Sequence, residues 1–218
     1  MTATIILYIL FYNIGVLLGS FFTLATYRIP LKQDITHTRS YCPKCKHELQ
    51  FLDLIPILSY LFLGGKCRYC KEPIGPRYII IEFFSGLFYL LFVMSFGINF
   101  MKISVPQIVG LINGTFIISS LFIIGGIAKE TNKISKEVIW FYIITQVLYI
   151  TYLYIFKLSI YRYIIYICVI AFTSFILTIL IGLINRIFKL NRVNKVYIFC
   201  FLSIITLIVY NFIINYIR

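Results

Sequence analysis

Apolar and polar positions fall along this chain in long blocks, not in the short periods of an amphipathic helix or strand. Six blocks are almost free of charge: roughly 3–27, 78–97, 103–128, 138–156, 160–185 and 196–216. Apolar runs of about 18 or more residues match the hydrocarbon core of a bilayer, so each block predicts a transmembrane helix. Block 3–27 stands where a signal peptide would. It lacks a charged n-region and an A-x-A cleavage site and is longer than a usual h-region, so it is read as a helix. The segment between the first two blocks is polar and cysteine-bearing. The chain therefore divides into a first transmembrane helix at 1–27, a loop domain at 28–77 and a five-helix transmembrane domain at 78–218.

Composition agrees with the pattern. Of 218 residues 61% are hydrophobic and 12% charged, and the mean hydropathy is +0.96. The net charge of +13 raises a nucleic-acid reading, but the cations are spread along loop edges without a groove-binding motif. Topology explains them better. Segments 28–77, 129–137 and 186–195 hold nine, three and four Lys or Arg, whereas the opposite set holds only Lys102, Lys157, Arg162 and Arg218. The positive-inside rule then places the 28–77 loop in the cytoplasm and both termini outside. It also makes anionic membrane lipids, and no nucleic acid, the partners of the basic edges.

The loop "RSYCPKCKHEL…GGKCRYCKEPIG" carries Cys42, Cys45, Cys67 and Cys70 in two C-x2-C pairs. Each pair can chelate from one tight turn, and two such turns complete a tetrahedral thiolate site for Zn²⁺. Two disulfides are disfavoured in a reducing compartment. Four protein ligands close the coordination sphere, so the zinc is structural, and it supplies much of the folding energy of a small loop. His47 lies two residues past Cys45 as an alternative ligand, though four cysteines already suffice. Cys168 and Cys200 fall inside predicted helices and are read as packing residues. Asn113, Gln146 and Asn185 are expected to hydrogen-bond between helices. Pro106 and the glycine pair at 125–126 are expected to bend the third transmembrane segment. The tyrosine-rich stretch 149–166 is expected to form an interfacial aromatic belt.

The stretches "GSFFTLATYRIP" (19–30), "RSYCPKCKHEL" (39–49) and "DLIPILSYLFLGGKCRYCKEPIGPRYIIIE" (53–82) together resemble the amino-terminal part of type IV prepilin peptidases. The likeness covers about residues 15 to 85 and rests on several independent motifs in the family's order. Gly19, Arg28, Pro30, Arg77 and Glu82 are the motif residues carried over, with structural or substrate roles. The resemblance implies a polytopic enzyme of the bacterial cytoplasmic membrane that removes leaders from type IV pilin-like precursors. It also implies methylation of the new amino terminus from S-adenosylmethionine, an activity tied to the amino-terminal region. No glycine-rich loop for that cofactor is visible. Cleavage in the family uses two aspartates at the membrane edge, whose split pKa values let one activate water while the other protonates the leaving group.

Those aspartates are not matched. Only Asp34 and Asp53 occur, both in the cysteine loop. The family's first catalytic motif aligns with "GIAKETNKISKE" (126–137), putting Ala128 at the aspartate, Ser135 at the proline and Lys136 at the later aspartate. The second aligns with "LNRVNKVYIF" (190–199), putting Val193, or Asn194 after a one-residue shift, at the other aspartate. These losses together point to natural degeneration and not to one engineered change. Glu130 and Glu82 are the substitute acids. Glu130 lies two residues from Ala128, and helical residues two apart face different sides. Glu82 lies one turn inside the second apolar segment, where an ionisable group is a functional candidate or an arginine partner, with Arg77 or Arg28 to pair it.

The expected fold is thus an all-α polytopic membrane protein of about six transmembrane helices with a small cytoplasmic tetracysteine zinc loop. The expected function is that of a prepilin peptidase-family protein that binds pilin-like precursors without cleaving them. The alternatives are an active leader peptidase or N-methyltransferase, and an unrelated zinc-ribbon scaffold or transporter component. The ordered motifs across 28–82 argue against the last.

Overall fold

The structure is a computed structural model that describes residues 2–98, 103–158, 160–187 and 195–216. Among the described residues the regular elements are helical. They are α1 (Thr2–Arg28), a 3₁₀ turn (Phe51–Asp53), α2 (Leu58–Phe62), α3 (Arg77–Ser95), α4 (Val105–Thr131), α5 (Lys136–Ile155), α6 (Ile160–Ile187) and α7 (Lys195–Tyr216). The six long helices each hold a span apolar and long enough to cross a membrane, and their bounds lie within a few residues of the apolar blocks. The chain is a multi-pass membrane protein. The 3₁₀ turn and α2, inside the polar loop, carry no long apolar run and were not expected.

The chain forms two compact units, Met1–Leu90 and Leu91–Arg218. In the first, α1 and α3 approach closely through small residues, the usual route to contact when lipid offers no hydrophobic drive. A Cβ at Gly19 would come within 1.9 Å of Ser85 Oγ, and one at Gly15 within 2.8 Å of the Tyr89 Cβ. Ser85 Oγ donates to the Gly15 carbonyl at 2.7 Å, crossing the interface. Tyr89 and Ser85 are fully buried there. Helix α1 stops at Arg28, two residues before Pro30, which lacks the N–H a further turn needs. The Arg28 side chain is buried.

In the second unit α7 lies against both α4 and α6, and α4 against α5. Ser104 and Gln107 form a reciprocal cap at the start of α4, with Pro106 in the first turn. That position tolerates proline because its missing N–H has no helical acceptor. The helix then runs unbroken through Gly125 and Gly126 to Thr131. Gly125 makes room for the Cys200 Cβ of α7, 3.2 Å from where its own Cβ would be. Asn113 donates to Tyr163 Oη at 3.2 Å and accepts from Gln146 Nε2 at 3.4 Å. Tyr163 in turn donates to Gln146 Oε1, joining α4, α5 and α6 as the polar pattern anticipated. Asn185 has no described side chain.

Two expectations need correction. Cys200 is buried, but Cys168 is exposed on α6 and packs no core. The tyrosines of 149–166 divide: Tyr154 and Tyr161 face outward, as a belt requires. Tyr149 and Tyr163 pack ring against ring at 4.8 Å, because a phenol inside the bundle gains hydrogen bonds that lipid withholds.

Candidate metal centre and candidate active site

The two cysteine turns are built alike. Cys42 N–H donates to the His47 carbonyl at 3.0 Å, and Cys67 N–H donates to the Glu72 carbonyl at 2.9 Å. Lys46 N–H returns to the Cys42 carbonyl and Lys71 N–H to the Cys67 carbonyl. Both lysines adopt positive φ, 60° and 59°, a conformation that L-residues enter at a cost. Short antiparallel bridges, Tyr41 to Glu48 and Lys66 to Pro73, close the two turns. The legible trace of this repeat is the lysine after each pair, in "CPKCK" and "CRYCK".

The four Sγ atoms lie within 4.8 Å of one another, and Cys42 Sγ is 3.9 Å from Cys70 Sγ. A tetrahedral zinc with bonds of about 2.3 Å sets sulfur–sulfur edges of about 3.8 Å, so the cluster has the size of a metal cage. A disulfide would require about 2.05 Å. The residues therefore fit a single thiophilic metal ion. Electrostatics inside the cluster favour sharing: the Cys45 N–H, against the effect of burial and helped by the Lys44 N–H, brings the Cys42 thiol down to about 7. The Glu72 N–H favours a Cys70 thiolate, yet burial and the hydrogen bonds Cys70 makes to the other sulfurs push it up to about 11. A divalent cation removes that conflict, because each sulfur then binds as thiolate. His47 stands outside the cluster and stacks on Tyr69 with ring centroids 3.6 Å apart.

Both aspartates are occupied by this loop. Asp53 caps the 3₁₀ turn through the Gln50 N–H and meets Arg68 Nε at 2.5 Å and Tyr69 Oη at 3.2 Å. Burial alone would raise its pKa, but these partners outweigh it and hold the carboxyl below its usual range. Asp34 accepts the Thr36 and His37 N–H groups at the far end of the loop. Arg28 donates to the carbonyls of Asp34, Thr38 and Arg39, so one buried guanidinium shapes the chain entering the first cysteine turn. The motif marked Arg28 without indicating these acceptors, because backbone carbonyls leave no sequence trace.

Of the two readings open for Glu82, the pairing with Arg77 or Arg28 is not what the structure shows. Glu82 Oε2 accepts the Ile57 N–H at 2.7 Å, and the Ser20 hydroxyl also bonds the carboxylate. Arg28 is turned to the carbonyls just named, and Arg77 is exposed at the first turn of α3.

Of the positions aligned with the two catalytic aspartates, only Ala128 is among the described residues. Ala128 is 1% exposed near the end of α4, its carbonyl accepting the Asn132 N–H that ends the helix. Glu130 is exposed on another face. Ser135, at the place of the motif's proline, caps α5 by accepting the Val138 N–H. Val193 and Asn194 lie outside the described residues. A cavity of about 780 Å³ among α4, α5, α6 and α7 is lined by residues such as Ile124, Ile139, Phe199 and Cys200, with Lys195 but no carboxylate among its described lining.

A tetracysteine cluster that could hold a metal ion, carried on a loop between helices long and apolar enough to cross a membrane, defines the class of a polytopic membrane protein. Residues 13–96 match the Bacterial Peptidase A24 N-terminal domain. Among similar curated proteins is a prepilin leader peptidase/N-methyltransferase of Vibrio cholerae, 36% identical over 124 residues, covering 53% of this chain and 47% of that protein. The protein of that description from Klebsiella pneumoniae is 32% identical over 126 residues, covering 54% and 50%. The one from Bacillus subtilis is 42% identical over 85 residues, covering 39% and 34%. Over this amino-terminal region the chain is similar to the prepilin peptidase family. It spans about half the length, or less, of these relatives. No solved structure matches.

Proposed function

We propose that this protein sits in the bacterial cytoplasmic membrane and binds type IV pilin-like precursors without cleaving them. In this reading residues 28–77 form a cytoplasmic zinc domain between a first transmembrane helix, 1–27, and the helices of 78–218, and both termini lie outside. The observation that carries it is the identity and burial of Ala128. Where the family motif has a catalytic aspartate, a methyl side chain 1% exposed stands in the end of α4. Hydrolysis by two carboxyls needs one to activate water and one to protonate the amine, and both aspartates of the chain hold turns of the loop. The carboxylate-free cavity supports the same reading.

The test is co-expression with a pilin precursor in cells lacking other prepilin peptidases. No leader cleavage is expected, while the precursor co-purifies with the protein. Ala128→Asp alone should not restore cleavage, since Val193 and Asn194 offer no second carboxyl. Cleavage by the unaltered chain overturns the reading, and Glu130→Gln and Glu82→Gln would then locate the acids. The retained amino-terminal domain favours methyl transfer as the second reading. Transfer from labelled S-adenosylmethionine to a pre-cleaved pilin amino terminus, lost on Cys42→Ser, would establish it.

A further inference from the structure

We propose that residues 54–62 of the cysteine loop are a re-entrant segment, with the outer face of α2 immersed in lipid at the membrane boundary. The argument begins with length. Helix α3 has 19 residues, Arg77–Ser95. At about 1.5 Å per residue it measures about 28 Å, so nearly all of it is needed to cross a hydrocarbon core of about 30 Å. Glu82 stands five residues into that helix, about 7 Å below the level of Arg77. The Ile57 N–H reaches the Glu82 carboxylate at 2.7 Å, so the loop backbone descends to that depth.

Backbone at that depth must satisfy its own polar groups, and several N–H groups of this segment do so locally. Leu58 N–H donates to the Pro56 carbonyl at 2.6 Å, Ser59 to Ile55 at 2.9 Å, Leu61 to Ile57 and Leu63 to Ser59, both at 3.0 Å. The first of these closes a γ-turn with Ile57 at φ 62°, ψ −55°, a strained form, most of all for a β-branched residue. Glu82 takes the Ile57 N–H at the centre of this tight turn. A carboxylate inside a membrane segment calls for a function, and here it holds the foot of the loop.

The side chains divide as a lipid boundary requires. Tyr60 turns inward, its hydroxyl donating to the Ile74 carbonyl at 3.1 Å. Leu58, Leu61 and Phe62 point outward, 50%, 61% and 86% exposed. A nearly bare phenylalanine beside two leucines is costly in water and favourable among acyl chains. The inference needs only that α3 crosses the membrane, and it stands whether or not the protein cleaves precursors.

Trp140 is the single tryptophan, so Trp140→Phe provides a silent background for Phe62→Trp in the full chain, reconstituted in phosphatidylethanolamine–phosphatidylglycerol vesicles. Bromine placed on the upper acyl carbons should quench the new tryptophan several-fold, and aqueous iodide should barely affect it. His37→Trp, on a side chain 90% exposed, should respond in the opposite way. Leu61→Trp repeats the measurement should Phe62→Trp fail to fold. Iodide quenching of both reporters without bromolipid quenching overturns the proposal. Shielding that appears only on adding a pilin precursor peptide also overturns it, by giving this face to a protein partner.

Discussion

The Sγ atoms of Cys42 and Cys70 lie 3.9 Å apart although 28 positions separate them in the chain. That approach is the closing edge of a tetrahedron to which each C-x2-C turn supplies two corners. Protein purified in detergent should carry about one zinc ion per chain, measured by elemental analysis. Cys42→Ser with Cys45→Ser should abolish binding and open 28–77 to limited proteolysis, because the loop has little core of its own. Metal-free protein with a protease-resistant loop would refute the zinc assignment.

Topology follows from charge. Reporter fusions or cysteine accessibility should place 28–77, 129–137 and 186–195 inside and both termini outside, as the split of 16 cations against four requires. A carboxyl terminus on the inside would break that assignment, most simply around 157–162, where α5 and α6 join.

Gly19 should be intolerant of any side chain. A Cβ there meets Ser85 Oγ at 1.9 Å and the Glu82 Cα at 3.0 Å, so Gly19→Leu must push α1 away from α3. Overpacking of this kind costs about 1–3 kcal/mol and should appear as a lower thermal midpoint in detergent. Gly64→Ala is the contrast, with nothing within 4 Å of its Cβ and φ at +60°. It carries only the left-handed penalty of about 1 kcal/mol.

The turn at Asp34 should be acid-resistant. The Thr36 N–H, then the Thr36 hydroxyl and the His37 N–H, hold its carboxyl at about 2, below the unfolded value of about 3.9. A depressed folded pKa means the turn's contribution is complete above the unfolded value and is lost as pH falls through about 2. The carboxyl-linked movement of the Thr36 amide resonance should therefore be centred near 2, well below the unfolded aspartate value. Movement centred near 4 would show that the Asp34 bonds are absent.

Much of this protein was legible in its sequence because the membrane simplifies the code. A bilayer demands long apolar helices, so 3–27 and 196–216 announced α1 and α7 within a residue or two of their ends. Chelation demands paired cysteines at tight spacing, so Cys42, Cys45, Cys67 and Cys70 group together on spacing alone. Ala128 can be aligned with the family's aspartate on sequence because a motif is a linear object. Cys168 was misjudged because apolar residues facing lipid and facing the core look alike along the chain. For Glu82 the sequence leaves a functional role and an arginine partner equally open. Only the tertiary structure could turn Arg28 toward three carbonyls and deliver the Ile57 N–H to Glu82. Backbone groups are identical at every residue, and which one reaches a given carboxylate depends on how the loop folds back against α3.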